Sequence, residues 1–145
     1  AAEARDEEMR LRVAKHRASR PAAWRTLEAP LGAAERIEGE AGRARVVLLD
    51  CLTLLASNAV LAAGDDAPPD RAEAAVEAEV EALLAASRRS AAAWILVSNE
   101  VGLGIVPAYP LGRVYRDALG RANQRCAAEA TRAYFMVAGL PMRLK

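Results

Sequence analysis

Apolar and polar positions alternate between two rhythms along this chain. RVVLLDC, residues 45–51, is a continuous apolar run of strand length that ends in an acid. That pattern predicts a parallel strand covered on both faces, with Asp50 at its carboxyl edge. AWILVSNE, 93–100, predicts a second buried strand closed by polar residues, and RAYFMVAGLPMRLK, 132–145, a last strand with a basic tail. Helical spacing fills the intervals: a helix from Leu52 to Leu61, an amphipathic helix over 71–90 and a long helix over 111–131. In the middle helix Ala75, Val76, Val80, Leu83 and Leu84 are expected inward, and Glu73, Glu77 and Glu81 on a solvated face. GDDAPPD, 64–70, reads as a solvated loop and VGLGIVP, 101–107, as a glycine-punctuated one.

Strand, helix, strand, helix, strand predicts an α/β fold built on a parallel sheet. In such sheets ligands bind beyond the carboxyl ends of the strands, which places Asp50, Ser98, Asn99 and Glu100 at the expected site.

The amino-terminal stretch RDEEMRLRVAKHRASRP, 5–21, predicts a short helix, with Asp6 as its N-cap, acids in the first turn, bases toward the end and Pro21 as the stop. Met9, Val13 and His16 fall at i, i+4 and i+7, so the chain's one histidine shares the apolar face. Spacing alone leaves His16 an ordinary packed or solvated residue.

Composition narrows the class. With 145 residues, 53% of them hydrophobic, the chain is long enough for one core and is expected to be a single domain, 1–145. Twenty basic residues against nineteen acidic ones leave a net charge of +1, so no global field draws in nucleic acid or anionic lipid. Cys51 and Cys126 lack CxxC spacing and, with one histidine, make no zinc tetrad. They read as half-buried reduced thiols of a cytoplasmic protein. The most apolar run, 48–64, is broken by Asp50, Ser57 and Asn58 and is shorter than the roughly 20 apolar residues that span a bilayer. The opening residues do not read as a signal peptide.

An apolar strand ending in Asp is what holds Mg²⁺ in phosphate-loop nucleoside triphosphatases, but their GxxxxGK[ST] cradle does not occur in these 145 residues. More specific is a set of segments in one order: DEEMRLRVAKHRASRPAAWRTLEAP (6–30), VVLLDCLTLLASN (46–58), LVSNEVGLGIVP (96–107), RDALGRANQR (116–125) and VAGLPMRLK (137–145). Together they resemble the bifunctional adenosylcobinamide kinase / adenosylcobinamide-phosphate guanylyltransferase family of cobalamin biosynthesis, over the whole chain.

The resemblance implies a RecA-like P-loop fold with a mainly parallel central sheet flanked by helices, usually a homotrimer. It implies an enzyme that phosphorylates adenosylcobinamide and then transfers GMP from GTP to the new phosphate through a GMP–histidine intermediate. His16 matches the guanylylated histidine. Arg17, Ala18, Ser19 and Arg20 match residues that contact the guanine nucleotide, Glu28 matches a further nucleotide contact, and Asp50 matches an acid near nucleotide and metal, reaching the metal directly or through water. Asn99 and Glu100 lie in the family's recognisable loop, with an expected role toward phosphate, metal or corrinoid. Lys15 would offset phosphate charge or simply complement the helix dipole, and Trp24 would stack on a ring or anchor in the core. GTP, ATP and Mg²⁺ are the expected cofactors, small molecules the expected partners, and no nucleic acid or membrane span is expected.

Members of the family begin with a strand and a GGxRSGKS loop ahead of the segments seen here. The expectation is therefore an amino-terminally incomplete domain, without its first strand and P-loop, and inactive if the protein starts at residue 1. The alternative is a truncated, non-catalytic module that binds nucleotide or corrinoid, or oligomerises.

Overall fold

The computed structural model describes residues 7–64 and 66–145, without the side chains of Glu8, Met9, Arg12 and His16. The elements run α1 (Glu7–Ala18), α2 (Ala33–Glu40), β1 (Val46–Asp50), α3 (Leu52–Ala63), α4 (Pro69–Arg89), β2 (Ala93–Val97), a 3-10 turn (Val101–Leu103), α5 (Pro110–Glu129), β3 (Tyr134–Val137) and β4 (Leu140–Arg143). The Asp6 N-cap and the face shared by Met9 and His16 lie outside the described residues.

Each long helix starts at a proline, whose missing N–H is no loss in a first turn and whose fixed φ suits the helix. In α4, Asp70 at the start and Arg88 and Arg89 at the end complement the dipole. Val76, Val80, Leu83 and Leu84 are buried as the periodicity predicts, whereas Ala75 is only half-buried. They meet Leu52, Leu55, Ala56, Ala59 and Val60 of α3 and Ala118, Leu119 and Ala122 of α5. Alanines at these contacts let three helices approach closely, while each fully buried leucine contributes about 1.5–3 kcal/mol.

The expected solvated face of α4 needs correction. Glu77 is exposed, whereas Glu73 and Glu81 keep only part of their exposure, Glu73 pairing with Arg121 of α5 and Glu81 accepting from Arg125 Nη2 at 3.1 Å. Arg88 donates to Glu129 at 2.9 Å, so ionic links run the length of the α4–α5 seam. α2 has no counterpart in the sequence reading: with eight residues and an internal glycine, its apolar spacing is too brief to stand out.

β1 and β2 pair in parallel, from Val46 beside Ala93 to Asp50 beside Val97. Leu49 is buried on the helical layer, with Trp94 and Leu96 partly buried against the same core. The expectation that β1 is covered on both faces does not hold among the described residues. Val46, Leu48, Ile95 and Val97 are 41–55% exposed, because all the packed helices lie on the other side. The expected last strand is instead two, β3 and β4, an antiparallel hairpin not paired with β1 or β2. Ala138 and Gly139 turn it with φ of 50° and 79°, the two successive left-handed residues a tight hairpin turn demands.

Candidate active site at the carboxyl edge of the parallel pair

Asp50 is the last residue of β1, and its strand partner Val97 immediately precedes Ser98, Asn99 and Glu100. The parallel register alone thus brings the four polar residues to one edge, where the sequence placed them.

The segment after α1 reaches this edge. Arg17 donates from Nε to Glu28 Oε1 at 3.1 Å and from Nη2 to the same oxygen. Arg20 donates to Thr26 Oγ1 at 3.0 Å and sets Nη2 at 3.8 Å from Asp50 Oδ2. Four of the nucleotide residues implied by resemblance therefore meet in two ion pairs. The side chains of Arg20 and Asp50 are 26% and 32% exposed, leaving both within reach of a ligand. Ala18 and Ser19 are exposed in the turn that ends α1, where the amide of Ser19 donates to Lys15 O at 3.1 Å. Lys15 is exposed. His16 lies in the last turn of α1, between Lys15 and Arg17, and its side chain is outside those described. Trp24 is 54% exposed, which removes the core-anchor reading and leaves its ring open to stacking.

The loop between α1 and α2 is held from behind. Asn58 Nδ2 donates to Pro30 O at 3.0 Å, and the Gly32 amide to Glu79 Oε1 at 2.9 Å. Arg25 pairs with Glu40 at the end of α2 at 2.9 Å.

A second network fixes the loop after β2. Asn99 donates from its amide at 3.0 Å and from Nδ2 at 3.1 Å to Thr53 Oγ1, in the first turn of α3. Asn123 of α5 donates from Nδ2 to Asn99 O at 3.1 Å and to Glu100 Oε1 at 3.0 Å, and its Oδ1 accepts from Ser98 Oγ at 2.6 Å. The Tyr115 hydroxyl, its pKa raised by burial, donates to Thr53 O at 3.3 Å. Sequence reasoning missed Thr53, Asn123 and Tyr115. Their signal was available only as polar residues on helix faces that no pattern could aim at the loop.

Beside this loop a groove of about 500 Å³ opens between the 3-10 turn and α5. Gly120 lies in it although it interrupts a 20-residue helix, where glycine costs about 0.5–1 kcal/mol relative to alanine. A Cβ at Gly120 would meet nothing within 4 Å, nor would one at Gly102 across the groove, so packing among the described residues requires neither glycine.

Among the described residues no three His, Cys, Asp or Glu side chains cluster to hold a metal by themselves. Mg²⁺ characteristically takes one or two carboxylates and completes its shell with water and substrate phosphate, and the part-exposed Asp50 fits that mode. No described helix is long and apolar enough to cross a membrane.

The cobinamide kinase / cobinamide phosphate guanyltransferase family matches residues 1–144. The chain is 48% identical to the bifunctional adenosylcobalamin biosynthesis protein CobP of Pseudomonas aeruginosa, over 99% of this chain and 79% of that one. It is 40% identical to the protein CobU of Escherichia coli, over 97% of this chain and 80% of that one. Against CobU of Salmonella typhimurium it is 37% identical, again over 97% and 80%. An α/β frame that ends its parallel strands in acidic and amide side chains, matched along its length at these identities, belongs to the cobinamide kinase / cobinamide phosphate guanyltransferase family.

Proposed function

We propose that this protein carries both activities of its family: phosphorylation of adenosylcobinamide, then transfer of GMP from GTP to the product, within one RecA-like, phosphate-loop type of domain. The observation that carries the reading is a pair of ion pairs beside His16 in sequence: Arg17 with Glu28 from the last turn of α1, and Arg20 with Asp50 at the edge of β1.

In the second reaction a neutral imidazole nitrogen of His16 attacks the α-phosphorus of GTP. A P–N bond forms, the bond to the bridging oxygen breaks, and pyrophosphate leaves. An oxygen of adenosylcobinamide phosphate then displaces the imidazole, giving adenosylcobinamide-GDP. Arg17 and Arg20 are suited to offset charge on the phosphate oxygens, with Lys15 as a further cation. Ala18 and Ser19 present exposed backbone to the nucleotide, and Glu28 orients Arg17. Asp50 would hold Mg²⁺ directly or through water, and the ion would supply charge neutralisation on the phosphates. ATP or GTP would serve the kinase step. Half-buried free cysteines suit a cytoplasmic setting, and a homotrimer is the proposed assembly.

The test is incubation with Mg²⁺ and α-labelled GTP. Acid-labile, alkali-stable label on His16, absent with γ-labelled GTP and absent from His16→Ala, is the expected result. Label at the wild-type level in His16→Ala would refute the assignment.

A further inference from the structure

The described side chains of α1 do little to pack it on the molecule: none is buried, and Leu11 is 63% exposed. The chain stays open to solvent over residues 21–26 and joins the core at Ala29, ahead of the buried Ala33 and Ala34. At that junction two polar side chains of the helical layer grip the backbone. Asn58 of α3 donates to Pro30 O at 3.0 Å, and Glu79 of α4 accepts at 2.9 Å from the amide of Gly32, the N-cap of α2. The second carboxylate oxygen of Glu79 is buried with no hydrogen-bond partner among the described residues, so the grip on Gly32 is what this carboxylate does there. Glu28 lies two residues before Pro30 and accepts from both Nε and Nη2 of Arg17. A line of contacts therefore runs from α3 and α4 through residues 30–32 to Glu28, and from Glu28 to the guanidinium beside His16.

We propose that Asn58 and Glu79 are positioning residues for guanylyl transfer, fixing the loop that holds Glu28 and, through it, the direction of the Arg17 guanidinium. The inference rests on the family reading above for the reaction, and on these two hydrogen bonds for the role. Neither residue is assigned a contact with substrate; both act through Glu28 and Arg17. Rate is sensitive to such placement, since a misplacement of about 1 Å can cost about 100-fold. Phosphorylation of adenosylcobinamide makes no use of the imidazole, so that step reports on the fold in the same variants.

Single-turnover labelling of His16 from α-labelled GTP and Mg²⁺, with the full chain and well below the melt of each variant, tests this. At saturating GTP, Glu79→Ala should label at least about tenfold more slowly than the wild type, with phosphorylation of adenosylcobinamide kept within about twofold. Asn58→Ala should behave in the same way. Glu79→Gln keeps an acceptor for the Gly32 amide and should label within about threefold of the wild-type rate. Arg17→Lys keeps the charge but loses the fork that Glu28 orients, so adding Glu79→Ala to it should slow labelling by less than about a further twofold. Labelling at the wild-type rate in Glu79→Ala, or equal losses of labelling and phosphorylation, would overturn the positioning role and leave the family reading standing. A full further tenfold loss on the Arg17→Lys background would overturn the route through Arg17, and the proposal with it. A wild-type chain that takes up no label would overturn both the proposal and the family reading.

Discussion

The guanidinium of Arg20 stands 3.8 Å from the carboxylate of Asp50, joining the turn after α1 to the end of β1. The pair couples the segment that follows His16 to the strand edge at which a metal-bound phosphate would sit.

Asp50→Asn keeps the side chain's volume and removes its charge. A part-exposed ion pair of this kind contributes at most about 1 kcal/mol to stability, so the fold should persist. Phosphorylation and guanylylation rates should each fall at least about tenfold, since one tenfold step is only about 1.4 kcal/mol of transition-state stabilisation. Rates measured across a magnesium titration check this, and profiles superposing on those of the wild type would remove Asp50 from the metal's surroundings.

Asn123→Ala deletes three hydrogen bonds to the loop after β2 with one truncation. At the usual net value of about 0.5–1.5 kcal/mol per bond, lowered by exposure, the expected loss is about 1–2 kcal/mol in urea unfolding. Hydrogen exchange at the amides of Ser98, Asn99 and Glu100 should quicken, while the α3–α4 amides stay protected. Exchange that is uniform across the chain would show that Asn123 does not act on this loop.

The strands and helices that the sequence announced are those with a strong internal rhythm. α4 repeats its apolar positions over 21 residues, and β1 and β2 are short apolar runs closed by polar groups, so the carboxyl edge with Asp50, Ser98, Asn99 and Glu100 was legible. Two things were hidden. Ala138–Gly139 is a weak turn signal because alanine seldom takes a positive φ, and the hairpin therefore read as one strand. The partners of the site loop, Thr53 and Asn123, come from two different helices, and only tertiary packing aims them at Asn99. Likewise, glutamates on a helix read as solvated until the neighbouring helix supplies arginines, as α5 does for Glu73 and Glu81.

The same seam gives the molecule an acid response. Hydrogen bonds from Arg88 and then Arg125 hold the Glu129 carboxyl down at about 2, against an ordinary value of 4.5. A depressed carboxyl stabilises the fold above its unfolded value, and that contribution is lost as pH falls from about 4.5 through about 2. Wild-type protein should therefore lose thermal stability more steeply than Glu129→Gln across this window. Parallel melting curves for the two proteins from pH 5 to pH 2 would refute the link.

Leu119 is fully buried where α3, α4 and α5 meet. Leu119→Ala leaves a cavity among helices too tightly spaced to collapse freely, and should cost about 2–5 kcal/mol in chemical denaturation. A loss below about 1 kcal/mol would mean that the three-helix layer is looser than described.

The parallel register of β1 and β2 also sets an order of assembly. Val46 meets Ala93 only after the intervening α3 and α4 have folded back, whereas those two helices are joined by a short connection and can pack as neighbours first. Closing the longer loop carries the greater entropic cost, so the strand pair forms late. Asp50 and the loop that begins at Ser98 are brought side by side by that pair, and the Asn99–Thr53 hydrogen bonds can close only once it has formed. A chain arrested with its helices formed would show most of its native helical signal while its two halves of the carboxyl edge remained apart.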